Sequence, residues 1–231
     1  MKRIYEYNQC LFFFTFINLE FGLIMKNQMI SKTALQVFRE GLAKFVTFSD
    51  VEWAELIPYL TTSSIKKKDH FVVHGTVCKH VGFIIKGSLR FYHIKDGAEI
   101  TGYFCFENEF VSSYKSYLKQ EPSLTCIQAM EDTELILIAY EDMQQLLAHP
   151  KLAFKMEQFG RLVAEYYICC YEDRIAAFIV QSPEERYLTM LENQAGLLLR
   201  IPQHYVANFL GITPVSLSRI RKRTIRGVVN N

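Results

Sequence analysis

The chain has 231 residues, half of them apolar and 22% charged, which allows a sizeable core and excludes a disordered or fibrous chain. Its 26 Lys and Arg nearly balance its 24 Asp and Glu, so the whole molecule is no polycation. The six cysteines (Cys10, Cys78, Cys105, Cys126, Cys169, Cys170) show neither C-x-x-C nor histidine-spaced patterns, which argues against zinc or iron–sulfur ligation and for free thiols in a reducing compartment.

At the N-terminus, Lys2 and Arg3 precede an apolar run, Cys10–Ile24, with the outline of a signal peptide or membrane anchor. The run is shorter than a membrane span, Asn18 and Glu20 interrupt it, and no small-x-small cleavage site follows. Translation is expected to begin at Met25 or Met29, leaving residues 1–24 as a non-native extension of a cytoplasmic protein without membrane contact.

Met29–Leu60 carries apolar residues at helical spacing, with a helix start at Ser49-Asp50 and Glu52 and a stop near Pro58. Thr61–Ser64 reads as a polar break. From Ile65 to Tyr140 short β-prone segments (71–73, 81–85, 89–94, 100–106, 124–129, 135–139) alternate with Gly75, Gly87, Asp96-Gly97 and Glu121-Pro122. Turn signals at roughly ten-residue intervals predict an antiparallel sandwich or barrel, and Asp96-Gly97 is its strongest hairpin signal.

Helical character returns after Asp142. Leu152, Met156, Phe159, Val163, Tyr166 and Cys170 recur at alternating spacings of four and three, a stripe that suits packing on the β-domain or a coiled-coil seam. The seam is the expectation, with Met156, Phe159, Val163, Tyr166 and Cys170 lining a homodimer. Ser182 and Pro183 then end this helix and start the next. The expected division is a β-domain with N-terminal helices over 25–141, a long dimerisation helix over 142–181, and a C-terminal domain over 182–231 whose residues, taken next, point to DNA binding.

The last 36 residues, from Gly196, hold six Lys and Arg and no acidic side chain, leaving 20 basic against 24 acidic groups in the rest. Within them Gln203–Lys222 reads as a helix-turn-helix. Val206, Ala207 and Leu210 face inward from the first helix, Gly211 turns the chain, Ile212 plugs the space beneath, and Thr213 and Pro214 open the second helix. Projection at ~100° per residue sends Leu217 and Ile220 inward. Val215, Ser216, Ser218, Arg219, Lys222 and Arg223 fall on the outer face and its flanks. Such a helix suits a major groove, with Arg219 reading guanine and Thr213, Ser216, Lys222 and Arg223 holding phosphates.

On these residues the chain resembles the Crp/Fnr family of bacterial transcription regulators over roughly Met29–Arg226. The similar features are Gly75–Tyr92, Pro122–Asp142, the long helix and the C-terminal helix-turn-helix. The resemblance implies an α+β fold: an N-terminal antiparallel β-roll flanked by helices, a long dimerisation helix, and a winged helix-turn-helix. It also implies a homodimer on double-stranded DNA, contact with RNA polymerase, and an effector in the roll.

The resemblance places that effector near Asn108, Glu109, Ser123 and Leu124. Glu109 stands for the ribose-facing carboxylate of cyclic-nucleotide-binding members, Asn108 replaces a glycine, and Pro122 takes the place of the phosphate-binding arginine. Lys115 or Lys119 could substitute only if the intervening segment folds back. Burying a phosphate without a cation is costly, so no cyclic AMP response is expected and the effector is unidentified or absent. No cofactor is expected either: Cys10 alone makes no cluster, and His70, His74, His80 and His93 do not mark a haem ligand. At the recognition helix many members have Arg-Glu where this chain has Pro214-Val215, so the preferred DNA sequence differs, with Val215 placed to touch a thymine methyl. The chain lacks the nucleotide-binding, zinc-protease and serine-hydrolase motifs, so no enzyme is expected. A sensor that signals to a protein instead of DNA is the alternative.

Overall fold

Ser31 opens the first helix, α1 (Lys32–Ala43), by accepting from the Ala34 N–H at 3.1 Å. The computed structural model describes residues 30–229, so the expected extension over 1–24 lies outside the described residues. Ser49 and Glu52 close a reciprocal capping box on α2 (Asp50–Leu56), as their spacing predicts. Pro58 sits in the 3₁₀ turn Ile57–Tyr59 that follows.

Two four-stranded antiparallel sheets form the β-roll. The first runs in the order β1 (Thr61–Ile65), β8 (Thr133–Ala139), β3 (His80–Lys86), β6 (Phe110–Val111). The second runs β2 (His70–Val72), β7 (Cys126–Ala129), β4 (Leu89–Lys95), β5 (Ala98–Cys105). Asp96 (φ 52°) and Gly97 (φ 77°) make the hairpin between β4 and β5, where Lys95 pairs with Ala98. Two positive φ values are what a two-residue turn with matching twist requires. The expected break at Thr61–Ser64 is instead strand β1, since Thr61 to Ile65 pair with Leu137 to Thr133 along the edge of the first sheet. Polarity hid it: an edge strand with one face toward water needs few apolar residues.

Alternation sorts the apolar residues into two cores. Ile84, Leu135 and Leu137 point between the sheets and meet Leu89 and Ile127. Phe83, Ile136 and Ile138 point the other way and meet Phe38, Leu42, Trp53 and Leu56 of the N-terminal helices. Gly41 lets α1 close on this face, because a Cβ there would stand 2.3 Å from the Phe83 ring. A short helix, α3 (Tyr114–Lys119), crosses the roll between β6 and β7.

The expected helix over 142–181 is two helices, α4 (Tyr140–Leu147) and α5 (Ala153–Val180). Pro150, which has no N–H to donate, lies in the gap. The apolar stripe on α5 belongs to this chain's own core. Met156 and Phe159 are buried there, Phe159 against Phe45 and Phe110, and Val163 packs beside them. Met156 and Phe159 therefore cannot line a seam. Periodicity alone does not say which neighbour a stripe meets. Tyr166 of the predicted stripe is exposed and Cys170 half-buried, and a second exposed apolar set on α5, Ile168, Tyr171, Ile175 and Ile179, lies about 145° around the helix from the stripe.

Ser182 and Glu185 form a second capping box at the start of α6 (Pro183–Leu198). After it come α7 (Gln203–Phe209) and α8 (Pro214–Val229). The expected wing is not seen: among the described residues after Val180 there are helices and no strand. The link 199–202 is too short for a hairpin, and α8 runs on to Val229 where a second wing would turn back. No helix of the described residues is long and apolar enough to cross a membrane.

Candidate nucleic-acid interface

The helix-turn-helix is assembled from the inside. Val206, Ala207 and Leu210 are buried on α7, and Leu217 and Ile220 of α8 pack onto them at 1% and 5% exposure. Gly211 turns the chain at φ 73°, and the Ile212 N–H donates to Ala207 O at 3.0 Å, which draws the turn under the helices. Thr213 Oγ1 accepts from the Ser216 N–H at 3.1 Å and caps α8, whose first residue is Pro214.

That inward packing leaves Val215, Ser218, Arg219, Lys222 and Arg223 exposed on α8, with Ser216 half-buried and tied to Thr213. A depression of about 390 Å³ runs between the start of α7 and α8, lined by Gln203, Pro214, Leu217, Ser218, Arg221 and Lys222. Arg221, absent from the predicted set, adds a second basic side chain there beside Lys222. Arg223 is already engaged: Nε and Nη2 donate to the two carboxylate oxygens of Glu184 at 3.1 and 2.6 Å. A phosphate would have to compete with that carboxylate, whereas Arg219 takes part in no ion pair among the described residues.

The helix-turn-helix rests on the roll through contacts that sequence reasoning missed. The Asn208 side chain of α7 accepts from the Thr101 N–H and donates to Glu99 O, joining α7 to β5. Phe104 of β5 packs on Phe209, ring centroids 5.2 Å apart. Arg90 of β4, 1% exposed, lies between the Tyr92 ring at 4.2 Å and the Tyr205 ring at 3.8 Å, and its Nη2 donates to Glu99 and Gln128. Arg200, in the link between α6 and α7, donates to Glu107 and Glu131 of the roll. These partners are far apart in the sequence, so no local pattern announces them.

The expected effector residues each make their own local contacts. Asn108 adopts φ 67°, a conformation asparagine tolerates better than most residues, and is exposed. Glu109 turns its carboxylate back to accept from the Phe106 N–H at 3.0 Å, and burial raises its pKa. It faces a crevice beside α5, α6 and α7. Ser123 is buried; its hydroxyl meets Ser113 Oγ at 2.7 Å, donates to Thr125 O and accepts from the Thr125 N–H. Leu124 is 64% exposed. Lys115 and Lys119 are exposed on α3, and no cluster of metal-ligating side chains occurs among the described residues.

Residues 62–149 match the family model of the cyclic nucleotide-binding domain. No curated protein matches the chain. Among solved structures, a Crp/Fnr-family protein from Eubacterium rectale is similar at 20% identity, covering 78% of this chain and 85% of that one with a TM-score of 0.59. FixK2 from Bradyrhizobium japonicum is similar at 18% identity over 73% of this chain and 85% of its own, with a TM-score of 0.59. The c-di-GMP responsive global regulator CLP of Xanthomonas campestris is similar at 14% identity over 75% and 92%, with a TM-score of 0.60. At these identities the likeness is one of fold. The chain therefore resembles the Crp/Fnr proteins in its architecture, with a roll of the cyclic nucleotide-binding type followed by a long helix and a C-terminal helix-turn-helix.

Proposed function

We propose that this chain is a cytoplasmic, dimeric, sequence-specific DNA-binding transcription regulator. The observation that carries the reading is the division of α8: Leu217 and Ile220 are buried while Val215, Ser218, Arg219 and Lys222 face outward. A helix anchored by aliphatic residues and exposed along a basic edge suits a major groove. Arg219 would read a guanine edge, Val215 would meet a thymine methyl, and Ser218 would lie over the bases. Thr213, Ser216, Lys222 and Arg221 would hold phosphates, joined by Arg223 when it leaves Glu184.

Two copies would join along the exposed apolar residues of α5, Ile168, Tyr171, Ile175 and Ile179. Their spacings of three, four and four suit a helix-to-helix seam. Contact with RNA polymerase belongs to the same reading, as does an effector, whose place need not be the Ser123 region.

Mobility shift with DNA from upstream of the gene tests it. Selective shifts that weaken as salt rises, and that Arg219→Ala reduces by about 1–3 kcal/mol with loss of selectivity, support it. Shifts equal for all sequences, or unchanged in Arg219→Ala, favour a sensor that passes its signal to a protein.

A further inference from the structure

Four elements meet without filling the space between them. β5, α5, α6 and α7 border a crevice of about 230 Å³ whose lining includes Tyr103, Phe104, Glu109, Arg174, Met190 and Phe209. An apolar void of ~150 Å³ is enough to take a benzene ring. This one is walled mostly by aromatic rings and a thioether, surfaces that favour a flat apolar guest.

Arg174 is the one cationic side chain in that lining. Its guanidinium carbon lies 3.7 Å from the Phe209 ring centroid and 5.1 Å from that of Phe178. Rings cover its faces, while the N–H donors project from its edge. None of the ion pairs among the described residues involves it. Burial brings its pKa down to about 10, the mark of a cation held away from water without a counter-charge. Cation–π contact offsets part of that cost. A carboxylate accepting two parallel N–H bonds from the edge would offset more. On another wall Glu109 keeps its carboxylate on the Phe106 N–H, where it disfavours a second negative charge on the guest.

We propose that this crevice binds a small aromatic monocarboxylate, with Arg174 as its counter-ion and Phe104, Met190 and Phe209 as its walls. Phe104 and Arg174 stand on the roll and long helix, Met190 and Phe209 on the C-terminal helices. An occupant would therefore hold the helix-turn-helix against the roll. That regulatory consequence rests on the DNA-binding reading; the binding itself does not.

Calorimetric titration of the full chain with benzoate, phenylacetate and indole-3-acetate, each beside its neutral amide, tests the site. At least one acid is expected to bind about tenfold or more tightly than its amide. Arg174→Gln should remove that preference and Arg174→Lys should keep part of it. Should Arg174→Gln fail to melt cooperatively, the comparison of acid with amide on the unaltered chain decides alone. Equal affinity for acids and amides overturns the proposal, as does undiminished binding by a folded Arg174→Gln. No heat from any of the three acids at millimolar concentration overturns it too. Arg219→Ala separates the two readings, since it should lose the DNA shift and keep carboxylate binding; a chain that binds carboxylate but no DNA sinks only the earlier one.

Discussion

Arg200 holds Glu107 with both arms of its guanidinium, Nη1 to Oε2 and Nη2 to Oε1, each at 2.8 Å. Nη2 also reaches Glu131 Oε1 at 2.5 Å. One side chain in the link before α7 thus binds two carboxylates of the roll. The groups are a third exposed or thereabouts, so water screens the pairing even though its geometry is bidentate. Arg200→Ala is expected to cost about 1 kcal/mol of docking after that screening is allowed for. Limited proteolysis of the link 199–202 should quicken in the variant, while melting of the roll changes little.

Acid should loosen the same contact. Burial raises the Glu107 pKa, but the Arg200 guanidinium and the Gly87 N–H lower it further, so it lies below the ordinary glutamate value of 4.5. A depressed carboxylate pKa contributes stability that is fully present above 4.5 and is lost as pH falls through the lower, folded value. Small-angle scattering is expected to show the joint loosen in that acid range, and Glu107→Gln should lessen that acid dependence.

On α5 two faces predict opposite outcomes. Phe159, buried against Phe45 and Phe110, should cost about 3–5 kcal/mol of stability when changed to alanine. Ile175, 60% exposed, should leave stability nearly unchanged as Ile175→Glu but shift sedimentation from dimer to monomer. A dimer that survives Ile175→Glu would place the seam elsewhere.

Cyclic AMP should fail to bind with sub-micromolar affinity. The hydroxyls of Ser113 and Ser123 are already satisfied by one another and by Thr125, and the nearby lysines of α3 are exposed. Tight calorimetric binding of cyclic AMP would contradict this. A phosphate that enters without a cation loses more hydration than hydroxyls return.

Gly41→Ala is expected to destabilise the fold by about 1–3 kcal/mol, since the new methyl group would stand 2.3 Å from the Phe83 ring. Thermal melting reads the effect directly.

Local chemistry made much of the fold legible. Asp96-Gly97, Ser49 with Glu52, and Ser182 with Pro183 each act within a few residues, and each forms the predicted turn or cap. In the helix-turn-helix, Leu217 and Ile220 could be placed inward from their spacing alone. Strand β1 escaped because its partner, β8, supplies what its own residues lack. The stripe on α5 was visible while its neighbour was not, so Met156 and Phe159 were assigned to the wrong surface. Arg200 and Asn208 gave no signal, as their partners lie 93 and 109 residues away in Glu107 and Glu99.

The stack of Tyr92, Arg90 and Tyr205 bears on how easily the two halves part. Tyr205 travels with α7 and is half the roof over a guanidinium that is otherwise dry. If α7 lifts, Arg90 loses a ring but gains water, and hydration repays much of what the stacking gave. An oily joint of the same extent would offer no such return on opening. At this one contact, hydration of a hidden positive charge offsets part of the cost of lifting α7, while Phe104, Phe106 and Met130 still hold the joint through their apolar contacts.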